Sequence, residues 1–333
     1  MKIGLLQLNS TVGDFAANRE KLLAAYAQAV ARGAELVLAP ELFLCGYPPR
    51  DLLLRDDFVA ANLAALAETA QAAGAVPLCV GFVEKNAERP GRALKNSAAV
   101  LQNGKIIWRT AKSLLPTYDV FDEDRYFEPA KKVEPFVFAG KKIGLTICED
   151  IWNDEDFWPE RLYRRDPVRE LVSQGAEIML NISASPWCDG KEKTRLEMLQ
   201  RVARDEKIPL VQVNAVGAND ELIFDGHSVA LDARGGILAL GRGFAEEILV
   251  VDLNPATSNQ QPATGFRRAN NCCFPRYRSA CAITSANAGL NQSSSVCPAA
   301  LIPRWPRRSP PMRSGRKMFL AWRCPRVIPA AAV

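Results

Sequence analysis

The sequence predicts an α/β protein in which mixed sheets are stacked in layers with helices. Three observations carry this. Apolar runs of strand length alternate with helix-period segments through residue 252. Hairpin signals at Asn103-Gly104 and at Gly140 interrupt the later runs. The composition, 48% hydrophobic and 24% charged over 333 residues, suits a chain able to bury a large core.

Each element has its own local warrant. Residues 3–8 form an apolar run that reads as a buried strand. Residues 18–31 place apolar side chains at helical spacing, with Gly33 as the stop. Residues 35–39 make a second strand that runs into Pro40-Glu41, and the Ala-rich stretch 59–73 makes a second helix. Residues 76–83 are a strand, 98–109 a hairpin broken at Asn103-Gly104, and 136–148 a hairpin turning at Gly140. A strand at 178–182 and a charged amphipathic helix at 192–206 follow. Strands at 210–216, 228–231, 237–240 and 248–253 close the set. Gly235-Gly236 falls in a hairpin turn, and the chain shows neither an internal repeat nor a glycine-rich phosphate loop.

Composition excludes several kinds of chemistry. His227 is the only histidine, so a multi-histidine metal site is excluded and no metal ligand set is expected. It reads as a structural residue supporting its neighbours. No apolar run reaches the ~18 residues of a membrane span, and the start is too short for a signal peptide. The expected location is the cytoplasm, with the nine cysteines as thiols.

The formal charge of +5 hides a split. Of 42 Lys and Arg, 12 lie after residue 252, and none of the 37 Asp and Glu does. Residues 1–252 therefore carry −7 and the remainder +12. Five of the nine cysteines and ten of the 22 prolines also lie in that remainder. A domain of residues 1–253 and a basic, acid-free tail of residues 254–333, expected to be disordered, follow from this.

Three strand ends bear reactive groups. Glu41 follows the second strand, Lys112 follows a hairpin strand, and Cys148 ends an apolar strand just before Glu149-Asp150. Singly, each has a bland reading: a surface carboxylate, an exposed ammonium, an inert core thiol. Together they supply a mechanism without histidine. Glu41 would be the general base, Lys112 the oxyanion partner, and Cys148 the nucleophile that forms a thioester and releases ammonia. Glu41 or Glu149 would then activate water.

The flanks are more specific. Gly46-Tyr47-Pro48-Pro49-Arg50-Asp51-Leu52-Leu53, Leu115-Pro116, Phe121-Asp122-Glu123, Cys148-Glu149-Asp150 and Ser185-Pro186-Trp187 accompany the three residues in order. The pattern resembles the Glu-Lys-Cys triad of the nitrilase (carbon–nitrogen hydrolase) superfamily. Within it, residues 1–253 are similar to the amino-terminal glutaminase domain of bacterial glutamine-dependent NAD synthetases. The resemblance implies a four-layer α-β-β-α sandwich, L-glutamine as substrate, homo-oligomeric assembly and no cofactor for the hydrolysis. It also implies Tyr118, Ser185 and Lys191 at the substrate, and Glu149, next to Cys148, is expected there with them. Their bland readings are a packing aromatic for Tyr118, a helix cap for Ser185 and a solvated charge for Lys191. Cys45 and Cys188 lie inside the same motifs and read as inert.

In that family an ATP- and Mg-dependent synthetase domain with a Ser-Gly-Gly-x-Asp-Ser loop follows. The tail lacks this loop. Codons permitted for residues 295–305, read with the first two bases dropped, give Gly-Leu-Ser-Gly-Gly-Ile-Asp-Ser-Ala-Leu. The same shift over residues 281–285 permits Arg-Asp-Tyr-Val. The tail is therefore expected to be an out-of-frame remnant of a synthetase domain. The enzymatic alternative is a stand-alone amidase acting on another small amide. The non-enzymatic one is a remnant whose basic tail, with Trp305, Phe319 and Trp322, binds nucleic acid.

Overall fold

The computed structural model describes residues 1–154, 157 and 161–254. The expectations for the tail, both its origin and its nucleic-acid binding, lie outside the described residues.

The first half runs β1 (Lys2–Gln7), α1 (Phe15–Ala31), β2 (Leu36–Leu38), α2 (Asp56–Ala72), β3 (Leu78–Lys85), β4 (Leu94–Gln102) and β5 (Lys105–Ala111). The second runs β6 (Phe136–Phe138), β7 (Lys141–Ile147), α3 (Pro167–Ser173), β8 (Ile178–Ser183), α4 (Lys191–Glu206) and β9 (Leu210–Asn214). It ends with β10 (Val216–Asn219), β11 (Leu222–Asp225), β12 (Val229–Leu231), β13 (Ile237–Leu240) and β14 (Glu247–Asp252).

Two six-stranded sheets result, ordered β14-β1-β2-β3-β4-β5 and β13-β12-β9-β8-β7-β6. In each, three parallel strands, β1-β2-β3 or β7-β8-β9, are flanked by antiparallel ones. Hydrophobic packing stacks the layers. Leu5, Leu36 and Leu38 meet Leu145, Ile147 and Leu180 between the sheets. Leu22 of α1 and Leu66 of α2 cover Val37 and Val80 on the outer face of the first sheet. Leu171 of α3 and Met198 of α4 cover Met179 and Leu210 on the second. The layers are thus α-β-β-α. Strand β2 shows why the central strands read as unbroken apolar runs: Leu36 and Leu38 face one core and Val37 the other.

The structure departs from the sequence reading at the strand expected for 210–216, at β11, which was not foreseen, and at α3. The strand expected at 210–216 stops at Asn214; the Ala215 amide donates to the Ser183 carbonyl at 2.9 Å, and β10 leaves to pair with β11. Helix α3 is unforeseen. Its seven residues are too few for a periodic signal, but Asp166 caps it by accepting from the Arg169 amide, and Pro167 opens its first turn.

Candidate active site

The carboxyl ends of the parallel strands collect the reactive residues, as is usual for ligand sites in α/β sheets. Glu41 lies just beyond β2. Its chain crosses β3 so closely that a Cβ on Gly81 would stand 2.2 Å from the Leu42 nitrogen. Glycine at 81 is what allows the approach. Lys112 follows β5 directly. Cys148 follows β7, opens a single 3₁₀ turn (Cys148–Ile151) and holds a left-handed φ of 44°. Strain of this kind concentrates at functional sites.

Glu41, Lys112 and Cys148 are buried. Lys112 Nζ donates to Glu41 Oε1 at 2.8 Å. Asn96 Nδ2 donates to the same oxygen at 2.7 Å, and the Ala184 amide to Oε2 at 3.0 Å. Lys112 Nζ also donates to Glu123 Oε1 at 2.9 Å, and the Tyr47 hydroxyl reaches that oxygen at 2.8 Å. One ammonium thus serves two buried carboxylates. Burial opposes its charge, but Glu123 and Glu41 outweigh burial and keep it protonated well above the usual lysine range. Burial pushes the Glu123 carboxyl up to about 7, with Lys112 opposing and Glu41 adding. Burial also raises the Cys148 thiol, with Glu41 adding and Lys112 opposing. The resting sulfur is therefore a thiol.

Asp150 locks Lys112 to Cys148. Its Oδ1 accepts from the Ser113 and Leu114 amides at 2.8 and 2.9 Å, and its Oδ2 from the Ile147 amide at 3.0 Å.

The residues assigned to substrate by resemblance divide into two groups. Tyr118 donates to Glu149 Oε1 at 2.7 Å, and Tyr163 donates to the same oxygen at 3.1 Å. Burial raises the Glu149 carboxyl, and both hydroxyls pull it down. Lys191, at the start of α4, donates to the Pro186 carbonyl at 2.9 Å and lies over the Trp152 ring, 5.3 Å from its centroid. Burial lowers its pKa, so it is not the solvated charge of the bland reading. Ser185 is buried, and its amide donates to Asn214 Oδ1 at 2.9 Å; it caps no helix, since α4 begins at Lys191 behind Gly190.

Asn214 joins Ser185 to α4. Its Nδ2 donates to Asp225 Oδ1 at 3.2 Å, and Arg195 of α4 grips both Asp225 oxygens at 3.1 and 2.7 Å. Arg195 and Asp225 are fully buried, and Arg195 helps hold the Asp225 carboxyl down to about 2. His227 Nδ1 lies 2.9 Å from Asp225 Oδ2, the structural role expected for it. Cys45 is buried and Cys188 exposed.

Glu123, Tyr47, Asn96, Asp150, Tyr163 and the Arg195–Asp225 pair carry this geometry but were not singled out in the sequence. Glu123 had a signal: it lies among acidic residues within a stretch that already carried the resemblance. Tyr47 and Asp150 also lay within such stretches; Asn96, Tyr163 and the Arg195–Asp225 pair had none, because their partners are distant in the chain or look solvated in their own segment.

A buried ammonium shared by two carboxylates beside a strained cysteine, on a four-layer α-β-β-α scaffold, defines a nitrilase-like hydrolase. Residues 2–263 match the Carbon-nitrogen hydrolase family, and the chain belongs to it. It is similar to a glutamine-dependent NAD(+) synthetase of Synechocystis, 46% identical over 255 residues, covering 75% of this chain and 45% of that protein. Among solved structures it resembles the glutamine-dependent NAD+ synthetase of Acinetobacter baumannii in complex with ADP. That match has a TM-score of 0.74 and 29% identity, and covers 86% of this chain and 51% of the other. An amidase of Nesterenkonia sp. AN1 gives a TM-score of 0.63 at 25% identity, covering 76% of this chain and 90% of the other. That structure is of a mutant of the amidase and shows covalent addition of the acetamide moiety of fluoroacetamide at its active-site cysteine. The chain thus spans less than half the length of the curated relative. Among the described residues no helix is long and apolar enough to cross a membrane.

Proposed function

We propose that residues 1–253 are a glutamine amidohydrolase unit. The observation that carries this is the Lys112 ammonium, buried and 2.8 Å from Glu41, beside the strained Cys148. Glu41 takes the Cys148 proton as sulfur attacks the carboxamide carbon of L-glutamine. Lys112 stabilises the oxyanion. The tetrahedral intermediate expels ammonia, which takes the proton back from Glu41, and a thioester remains. Glu41 then removes a proton from water, the hydroxide attacks the thioester, and glutamate leaves as the thiol is restored. Glu149 pairs with the substrate α-ammonium, and Lys191 with its α-carboxylate. Tyr118 and Ser185 line the same side.

In this reading the ammonia serves the ATP-dependent amidation of deamido-NAD to NAD. ATP and Mg²⁺ belong to that second reaction, and no step of the hydrolysis uses them. The basic tail (254–333) is the out-of-frame remnant of the synthetase portion. Reading the DNA across codons 250–270 tests this: a continuous frame with no hidden loop would refute it.

The similarity to an amidase, 90% of which the match covers, supports a second reading, in which the substrate is another small amide. One assay separates the two. Ammonia release from glutamine by the wild type, abolished in Cys148→Ala, supports the glutaminase. Release from other amides but not from glutamine supports the amidase.

A further inference from the structure

Ser183 stands beside the nucleophile. Strands β7 and β8 run parallel, and their register pairs Ile147 with Ile182, so the next residues along are Cys148 and Ser183. The Ser183 side chain is wholly buried. Its Oγ makes no conventional hydrogen bond, an expensive state for a buried hydroxyl and one that calls for an explanation. The backbone on either side of it is pinned. Its carbonyl accepts from the Ala215 amide at 2.9 Å, and the following amide, of Ala184, is fixed on Glu41 Oε2.

We infer that Ser183 is a further catalytic residue, whose hydroxyl donates a hydrogen bond to the Cys148 sulfur when that sulfur becomes a thiolate. In the resting protein the partner is a weakly accepting thiol, and no hydrogen bond of ordinary geometry forms to it. A thiolate is a strong acceptor, and catalytic hydrogen bonds commonly tighten only as the reaction proceeds. Contact with Ser183 already acts to lower the Cys148 pKa, against the larger effect of burial. Three consecutive residues then divide the work: Ser183 faces the nucleophile, the Ala184 amide holds the base, and Ser185 lies toward the substrate.

The inference rests on Cys148 being the nucleophile, and the test reads that point separately. Wild type, Ser183→Ala and Ser183→Thr are treated with iodoacetamide from pH 6 to 9. Modification of the peptide containing Cys148 is followed by mass spectrometry, with Cys188 as internal reference. In Ser183→Ala the Cys148 rate at pH 7.5 should fall about 10-fold and its profile should move about one unit higher, the loss of one hydrogen bond to a charged group. Ser183→Thr, which keeps the hydroxyl, should stay within about threefold of wild type. Thermal melting of Ser183→Ala should show no loss of stability, because no formed bond is deleted. Equal rates in wild type and Ser183→Ala would overturn the inference. Ammonia release from an amide that persists in Cys148→Ala would instead overturn the assignment of the nucleophile, and this inference with it.

Discussion

Glu123→Gln separates the charge of the second carboxylate from its shape. The amide keeps an oxygen for the Tyr47 hydroxyl and the Lys112 ammonium, which approach Glu123 Oε1 at 2.8 and 2.9 Å. It removes a titration, and the NH₂ that replaces Oε2, 2.9 Å from Lys112 Nζ, adds a cost that does not vary with pH. With Glu41 ionised, the buried cluster is neutral when Glu123 holds a proton and carries one negative charge when it does not. Burial therefore raises this carboxyl from 4.5 to about 7. Between those values the folded protein holds a proton that the unfolded chain has lost. Stability consequently falls as pH rises through the window, and below it the penalty vanishes.

About 2.5 units at about 1.4 kcal/mol each gives a penalty on the order of 3 kcal/mol once pH exceeds 7. Glutamine at 123 carries none of it. The stability difference, Glu123→Gln minus wild type, should therefore grow by about 3 kcal/mol in favour of the variant between pH 4.5 and pH 8. Urea unfolding at several pH values, followed by circular dichroism, measures it. Asp150, which burial pushes up to about 6, tilts both proteins alike and cancels in the difference. A difference independent of pH would refute the reasoning, since Glu123 would then titrate as an ordinary carboxyl.

Three other substitutions probe the frame around the site. Arg195→Met leaves Asp225 buried without its bidentate partner and should cost about 3–5 kcal/mol in urea unfolding. If the proposed function holds, it should raise KM for glutamine more than it lowers kcat, because Lys191 sits one turn earlier on α4. Gly81→Ala puts a Cβ 2.2 Å from the Leu42 nitrogen. That strain should cost about 1–3 kcal/mol on melting and displace Glu41 enough to remove most amide hydrolysis. Asp150→Asn keeps the shape but turns an NH₂ group toward either the Ile147 amide or the Ser113 and Leu114 amides. A buried donor facing a donor should cost about 1–3 kcal/mol, and activity should fall as Lys112 and Cys148 lose their common anchor.

The layered fold was legible because local rules decide it. Strand β2 buries both faces and so reads as an apolar run, and the Asn103-Gly104 turn takes positive φ at both residues, as a tight hairpin needs. The break at Ala215 was not legible, because the apolar run continues through it and only the distant Ser183 carbonyl draws the chain aside. The three reactive residues were legible because each ends a strand inside a recognisable motif. Glu123 and Tyr163 were hidden for the opposite reason. An acidic loop residue and a lone tyrosine look like surface until the fold brings Lys112 to one and Glu149 to the other. The Arg195–Asp225 pair was hidden likewise: an arginine in a charged helix reads as solvated, and nothing in its own segment announces a carboxylate 30 residues on.

Charge counting also constrains how a buried thiol could act in the proposed reaction. The Cys148 sulfur lies where burial and Glu41 both oppose a thiolate, and Lys112 offsets only part of that. Losing its proton to solvent would add a second uncompensated negative charge whenever Glu123 is already ionised, and desolvation makes that costly. Handing the proton to Glu41 instead moves a negative charge from oxygen to sulfur and leaves the sum unchanged. The Lys112 ammonium then faces a neutral Glu41 and is free to turn toward the oxyanion that the attack creates. Glu123 completes the logic, because it holds that ammonium in place after Glu41 has been neutralised. A single base would have to release its lysine at the moment the lysine is needed; two carboxylates on one lysine remove the conflict.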